Sequence, residues 1–295
     1  MSLVPPGLTV GLKIGVPFQD YLKIDALNCS TLKKVNQSPK HALAAKTAPS
    51  VRTPALVFGD AVHAKILEPD RFEDEYVQGL DIPKKSKADK EAWKEFNLEN
   101  EGKTVLKAEE MEHLHRMEEA IFQHPIADAL MRGEDGHNEV TMLWEDPDTD
   151  APCKGRTDRI TKFEGEGVII DLKSTRDSSP EAWGKDAARF FYHSQAAWYL
   201  AGAEAIAPYG ASYSLENGKK RRFLFVCVEK TPPYGVTVQE LNDEAIDAGA
   251  RLNRIWLRRW LACKNSGNWT SYPNHIINQQ LPQWALNHAN SQKGS

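Results

Sequence analysis

The sequence has few cysteines, no long apolar run and no excess of positive charge, and each shortage argues against a class of protein. The cysteines are far apart and form no C-x-x-C pair, so we do not expect a zinc ribbon or a cysteine-ligated cluster. Such scattered cysteines favour a reducing cytoplasm, and no apolar stretch is long enough to span a membrane. The N-terminal residues lack a charged segment followed by a long apolar core, so we expect no signal peptide.

The net charge of −4 provides no overall attraction to nucleic acid, so a DNA-binding function would depend on how the charges are distributed. The composition, with 41% apolar and 26% charged residues, is that of an ordinary globular protein. Each basic cluster is either a solvated face or part of a surface for nucleic acid. The clusters are residues 84–87, residues 219–222, and Arg251, Arg254, Arg258 and Arg259.

The order of helix and strand patterns predicts an α/β fold, with a central mixed sheet flanked by helices around one main core. We assign residues 1–50 to an N-terminal helical approach segment, 51–285 to the rest of the same domain, and 286–295 to a disordered tail. A short helix near residue 30 would have Ser30 as its N-cap. Further helices are expected at 55–67, 87–100, 107–123, 192–205 and 240–263, and strands at 139–144, 153–162, 168–173, 223–228 and 235–238.

The polar end of one predicted strand carries the strongest chemical signal. Side chains alternate along a strand, so Asp171 and Lys173 share one face while Ile170 and Leu172 point to the other. A carboxylate and an ammonium are costly to bury on an apolar strand unless they have a function, although a structural ion pair is the simpler alternative. Asp158 lies on the preceding predicted strand, so two carboxylates and a lysine could converge to hold a divalent metal.

Three further features lie at compatible places in the chain. His63 follows Gly59 by one turn on a predicted helix and is either a metal-site residue or a buried core histidine. Gln195 and Tyr199 are four residues apart on one helical face, where they either serve the site or pack the core. Glu139 begins a predicted strand and is either a third acidic ligand or an exposed edge residue.

This ordered set resembles the PD-(D/E)xK nuclease superfamily, and within it the RecB-type branch and the RecE-like exonucleases. The resemblance covers residues 28–272 and depends on four motifs in sequence. The pattern departs at Thr157-Asp158, where the superfamily's proline-aspartate is replaced. Only Cys263 lies near the C-terminus, so the iron–sulfur cluster of some relatives is not expected. The four motifs are Gly59-x-x-x-His63, Gly155-x-x-Asp158, Asp171-x-Lys173 and Gln195-x-x-x-Tyr199.

The resemblance implies a Mg²⁺ or Mn²⁺ ion and a function for each motif. These cations prefer hard oxygen ligands. Asp158 and Asp171 would be ligands, and the family pattern adds the backbone carbonyl of Leu172, with His63 as a nitrogen ligand or a partner of a metal-bound water. Lys173 would orient the water and stabilise developing charge, because two nearby carboxylates raise its pKa and disfavour a general base.

The implied activity is that of a phage exonuclease in the cytoplasm of a bacterial host cell. It would degrade one strand of linear double-stranded DNA from the end, 5′ to 3′, and leave 3′ single strands for a RecT-like annealing protein. A homo-oligomeric ring would reconcile the acidic net charge with DNA binding. The alternatives are an endonuclease or helicase-associated nuclease of the same superfamily, and a non-catalytic module that binds DNA ends.

Overall fold

A six-stranded mixed sheet forms the centre of the fold in the computed structural model, which describes residues 10–47, 53–209, 221–283 and 286–287. Its strands lie in the order β1-β4-β5-β6-β7-β8, and β2 pairs with β3 in a separate parallel ribbon. The strands are β1 (Gly11–Lys13), β2 (Tyr76–Gln78), β3 (Thr104–Leu106), β4 (His137–Glu145), β5 (Pro152–Phe163), β6 (Glu166–Thr175), β7 (Arg221–Glu229) and β8 (Val236–Glu240).

Most of the helices begin where the sequence supplies a cap or a proline. Thr53, Ser86 and Asn242 each accept a backbone N–H at a helix start, which satisfies one of the donors that a first turn leaves free. The helices are α1 (Phe18–Lys23), α2 (Cys29–Lys34), α3 (Pro39–Thr47), α4 (Pro54–Leu67), α5 (Pro69–Glu75), α6 (Lys87–Glu99), α7 (Ala108–Gln123), α8 (Pro125–Arg132), α9 (Pro180–Arg189), α10 (Tyr192–Ile206) and α11 (Asp243–Ser266).

Helices cover both faces of the sheet, which confirms the predicted α/β class. On β6, Ile169 packs in the core formed with α2, α10 and α11, whereas Ile170 and Leu172 pack in the core formed with α4, α7 and α8. This alternation is the strand periodicity that a sheet buried on both sides requires. Among the described residues, no helix combines the length and apolar character needed to cross a membrane.

The sheet is antiparallel except between β6 and β7. A parallel pair needs a crossover, and here α9 and α10 lie in the connection from β6 to β7. This path brings α10 against the middle of the sheet, where Gly155 of β5 allows the Tyr199 ring to approach closely. The parallel step therefore places one end of α10 beside the polar end of β6.

Several local predictions differ from the structure. Asn28, not Ser30, caps α2, since its side chain accepts the N–H of Thr31. The sequence patterns predicted none of the strands β1, β2 and β3 and none of the helices α1, α5 and α8. The proposed division at residue 50 stays a prediction, and most of the expected tail, residues 286–295, lies outside the described residues.

Gly249 controls the crossing of α10 and α11. A Cβ atom built there would lie 2.1 Å from the carbonyl oxygen of His193, so the backbones could not keep their present distance. Beside this crossing, Ser194 Oγ donates to Asn253 Oδ1 over 2.6 Å, and Asn253 Nδ2 donates to the Ser194 carbonyl over 2.8 Å. The crossing therefore fixes the residue next to Gln195.

We predict that Gly249→Ala lowers the free energy of unfolding by about 1–3 kcal/mol, because the added methyl group overpacks a fixed contact. Denaturant unfolding measures the change. Gly184→Ala is the matched control: Gly184 is helical and exposed with no atom within 4 Å of a built Cβ, so alanine should be neutral or stabilising by about 1 kcal/mol. Equal effects of the two substitutions would contradict this account of the helix crossing.

Candidate active site

Three carboxylates stand in one row across β4, β5 and β6. The pairs Asn138↔Arg159 and Val140↔Thr157 flank the position where Glu139 faces Asp158. The last pair between β5 and β6 is Arg159↔Ile170, and the next position along both strands sets Asp158 against Asp171. Like charges opposite each other destabilise a sheet, so this row requires compensating positive charge.

Glu139 forms one end of the row and has an unusual backbone. Its φ is 54°, in the left-handed region that residues with side chains seldom occupy, and such strain is concentrated at functional sites. Arg156 Nε donates to Glu139 Oε2 over 2.5 Å, and Arg156 Nη1 donates to the Val16 carbonyl over 2.6 Å. Burial, and then the charge of Asp158, raise the pKa of Glu139. Arg156 supplies the positive charge at this end.

Asp158 is the central carboxylate, and its Oδ2 accepts the backbone N–H of Leu172 over 2.7 Å. This side-chain bond takes the place of a ladder bond just beyond the last pair of β5 and β6. Burial, followed by the negative charge of Asp171, raises the pKa of Asp158 to about 8, despite the opposing effect of Lys173. The nearby cations therefore do not offset the effect of burial and of Asp171 on this carboxyl group.

Asp171 forms the other end of the row and is held by two donors. Gln195 Nε2 donates to Oδ1 over 2.6 Å, and Lys173 Nζ lies 2.5 Å from Oδ2. Lys173 also lies 5.1 Å from the ring centroid of Tyr192. Burial alone would lower the pKa of Lys173, but the charges of Asp171 and Asp158 outweigh it and raise the pKa. Lys173 is therefore a cation at neutral pH.

His63 approaches the row from α4 and completes a set of atoms that could bind a metal. Its Nδ1 lies 3.5 Å from Oδ2 of Asp158. Burial, and then the charge of Lys173, lower the pKa of His63, so the ring is neutral, which is the form that binds a metal. One ligand atom from each of His63, Glu139 and Asp158 lies within 4.8 Å of the others.

The chemistry of this set fits a divalent cation. Two carboxylates with raised pKa values and one neutral imidazole provide oxygen and nitrogen donors at a place short of positive charge. Mg²⁺ and Mn²⁺ accept carboxylate oxygens, and imidazole nitrogen suits Mn²⁺ better than Mg²⁺. The types of donor in this set therefore fit such an ion.

Tyr199 packs in the core beside the site, which is one of the two positions that the sequence left open. Its hydroxyl donates to the Arg156 carbonyl over 2.8 Å, and its ring packs on Gly155 and Phe223. Gln195 contacts a carboxylate directly, whereas Tyr199 supports the strand that carries Arg156 and Asp158. The two residues share one helix but contact different strands.

The structure brings most of the predicted residues together, but in two groups. His63, Glu139 and Asp158 form the candidate metal-ligand set, while Asp171 lies beside it with an ion pair to Lys173 and a hydrogen bond from Gln195. Sequence reasoning missed Arg156, although strand alternation places it on the same side of β5 as Asp158. It also missed Lys33, whose Nζ lies 3.5 Å from Oε1 of Gln195.

A comparison with solved structures agrees with this fold. A candidate exonuclease from Eubacterium rectale is 16% identical, aligns over 93% of this chain and 98% of its own, and superposes with a TM-score of 0.56. At this identity the likeness concerns the fold alone. Two other structures superpose too weakly to support a comparison. SSO0001 is 15% identical and aligns over 68% of this chain and 85% of its own, with a TM-score of 0.27. VC1899 from Vibrio cholerae is 12% identical and aligns over 86% of this chain and 58% of its own, with a TM-score of 0.24.

A family assignment comes from the sequence itself. No curated protein matches the chain. Residues 28–277, which include every residue of the site, match the family described as a PDDEXK-like domain of unknown function, DUF3799. The mixed sheet and the row of carboxylates are consistent with this match. The chain therefore belongs to this PDDEXK-like family, and so to the PD-(D/E)xK nuclease superfamily.

Proposed function

We propose that this protein is a metal-dependent deoxyribonuclease that hydrolyses phosphodiester bonds at the row of carboxylates. The observation that carries the proposal is the convergence of His63, Glu139 and Asp158 within 4.8 Å, beside the ion pair of Asp171 and Lys173. Membership of the PDDEXK-like family supports a nuclease. A decayed site would not need to keep these donors together on three strands and a helix.

His63, Glu139 and Asp158 would hold the ion, with the carbonyl of Leu172 and a carboxylate oxygen of Asp171 as further proposed ligands. When bound, Mg²⁺ or Mn²⁺ neutralises phosphate charge and lowers the pKa of a coordinated water. Both oxygens of Asp171 are already contacted by Gln195 and Lys173, so ligation would compete with one of those contacts. Asp158 would bind the metal in its ionised form, so its carboxyl group would have to lose its proton.

Lys173 acts on the substrate side of the reaction. Its raised pKa keeps the ammonium protonated, so it stabilises negative charge on a phosphate and orients water rather than accepting a proton. The contact with Asp171 fixes the ammonium, and the contact of Gln195 with the same carboxylate fixes Asp171. This fixed arrangement provides charge stabilisation without reorganisation during the reaction.

The resemblance to RecE-like exonucleases supports a finer proposal. The substrate would be the end of linear double-stranded DNA, degraded 5′ to 3′ by a homo-oligomeric ring that leaves 3′ single strands for a RecT-like annealing protein. Arg221 and Arg222 pair with Glu204 and Glu240, which makes these two arginines poor contacts for DNA. The exposed lysines at 84, 85 and 87 and the exposed Arg251 and Arg258 suit DNA phosphates better.

We predict that Asp158→Asn abolishes Mn²⁺ binding and cleavage, because it removes the central ligand charge. Calorimetry measures the metal and a labelled duplex measures the cleavage. Asp74→Asn, which changes an exposed carboxylate on α5, is the control and should change neither. Asp171→Asn should reduce cleavage, and a comparison of its metal affinity with that of Asp158→Asn tests whether Asp171 is a ligand. Full metal binding by Asp158→Asn would contradict the proposed site.

The affinity for Mn²⁺ should increase with pH. The pKa of Asp158 in the metal-free protein is about 8, so protons compete with the cation below that pH and binding releases a proton. We predict that Mn²⁺ raises the melting temperature more at about pH 8.5 than at about pH 6. Asp158→Asn should lose this difference, and a pH-independent metal effect in the wild type would contradict the assignment.

We predict that Lys173→Met keeps Mn²⁺ binding but lowers kcat by about a hundredfold or more, because it removes transition-state charge stabilisation. Lys185→Met removes an exposed lysine on α9 and should leave kcat unchanged. Steady-state kinetics with the two variants side by side gives the comparison. A Lys173→Met enzyme with a wild-type rate would assign Lys173 a structural role only.

The finer proposal predicts activity that requires a DNA end and an assembled oligomer. End-labelled linear duplex should be degraded from its 5′ ends, while a covalently closed circle of the same sequence should stay intact. Light scattering gives the subunit number, and binding should weaken steeply with salt as phosphate contacts release counterions. A monomer that cuts closed circles as fast as linear duplex would instead indicate an endonuclease.

A further inference from the structure

A second lysine, Lys33 of α2, reaches the Gln195 side of the candidate active site. Buried Cys29 and Leu32 anchor α2 in the core that it shares with α10, and Lys33 is half-buried in this packing. Its Nζ lies 3.5 Å from Oε1 of Gln195 and 5.8 Å from the ring centroid of Tyr192. The same ring lies 5.1 Å from Nζ of Lys173, so two ammonium groups flank Tyr192.

The contact between Lys33 and Gln195 favours the same orientation of the Gln195 amide as the hydrogen bond from that amide to Asp171. An ammonium group only donates hydrogen bonds, and an ionised carboxylate only accepts them. Oε1 of Gln195 faces Lys33, and Nε2 donates to Asp171 over 2.6 Å. The opposite orientation would set Nε2 against the ammonium and Oε1 against the carboxylate, so both contacts would become repulsive.

We propose that Lys33 is a positioning residue, which orients the amide of Gln195 and thereby holds the carboxylate of Asp171 in place beside Lys173. The contacts form one chain from Lys33 through Gln195 and Asp171 to Lys173. Each contact in this series joins a donor to an acceptor, so a change at Lys33 would affect Asp171 although the two residues do not touch. The kinetic part of this inference depends on the proposed nuclease function.

Kinetics of Lys33→Met and Lys33→Arg test the inference. A misplaced carboxylate should lower kcat by about ten- to a hundredfold in Lys33→Met, with KM and the salt dependence unchanged. Arginine keeps a donor of the same charge and should restore part of the rate. Lys34→Met alters the exposed neighbour on α2 and should have no effect. In a Gln195→Ala background, Lys33→Met should cause no further loss, because its proposed partner is absent.

The side-chain amide of Gln195 gives a readout that does not depend on activity. Its NMR signals can be assigned in ¹⁵N-glutamine-labelled protein by their loss in Gln195→Ala. We expect Lys33→Met to shift these signals and speed their hydrogen exchange, while Lys34→Met leaves them in place.

Two results would overturn the inference. The first is an unchanged Gln195 amide in Lys33→Met. The second is a raised KM in Lys33→Met, together with a further loss of rate when Lys33→Met is added to Gln195→Ala. That result would make Lys33 a substrate contact. An inactive wild-type protein would overturn the proposed function instead, and the amide signals would still decide the role of Lys33.

Discussion

The site depends on the point where β5 and β6 stop pairing. Up to Arg159 and Ile170 the two strands share a regular ladder, and one position further the side chain of Asp158 accepts the N–H of Leu172. That bond satisfies a backbone donor and fixes a carboxylate at the opening of the sheet. β6 continues to pair with β7 beyond this point, so Asp171 and Lys173 stay on a rigid strand while β5 departs.

The electrostatics of the row follow from this geometry. Arg156 neutralises Glu139 at one end, and Lys173 neutralises Asp171 at the other. The central Asp158 meets a backbone N–H and a neutral imidazole, and burial raises its pKa to about 8. A bound divalent cation would supply the missing charge. The positive charges of Arg156 and Lys173 therefore lie beside the two ends of the row rather than next to Asp158 at its centre.

The sequence predicted the strands of the sheet better than the contacts of the candidate site residues. Strand alternation placed Asp171 and Lys173 on one face, and the apolar periodicities located β5, β6 and α10. Spacing could not separate Gln195 from Tyr199, because both lie on one helical face but contact different strands. Lys33 could not be found either, since its contact with Gln195 joins residues 162 positions apart. Ser30 failed as a cap because Asn28 offers a better-placed oxygen, a competition that composition alone does not resolve.

Anomalous diffraction from crystals grown with Mn²⁺ tests the central claim most directly. The account predicts one strong anomalous peak between Nδ1 or Nε2 of His63 and the carboxylates of Glu139 and Asp158, with oxygen ligands at about 2.1–2.3 Å. It also predicts loss of that peak in Asp158→Asn. A wild-type crystal without a peak at this position, or with the ion bound elsewhere, would contradict the assignment of the row of carboxylates as a metal site.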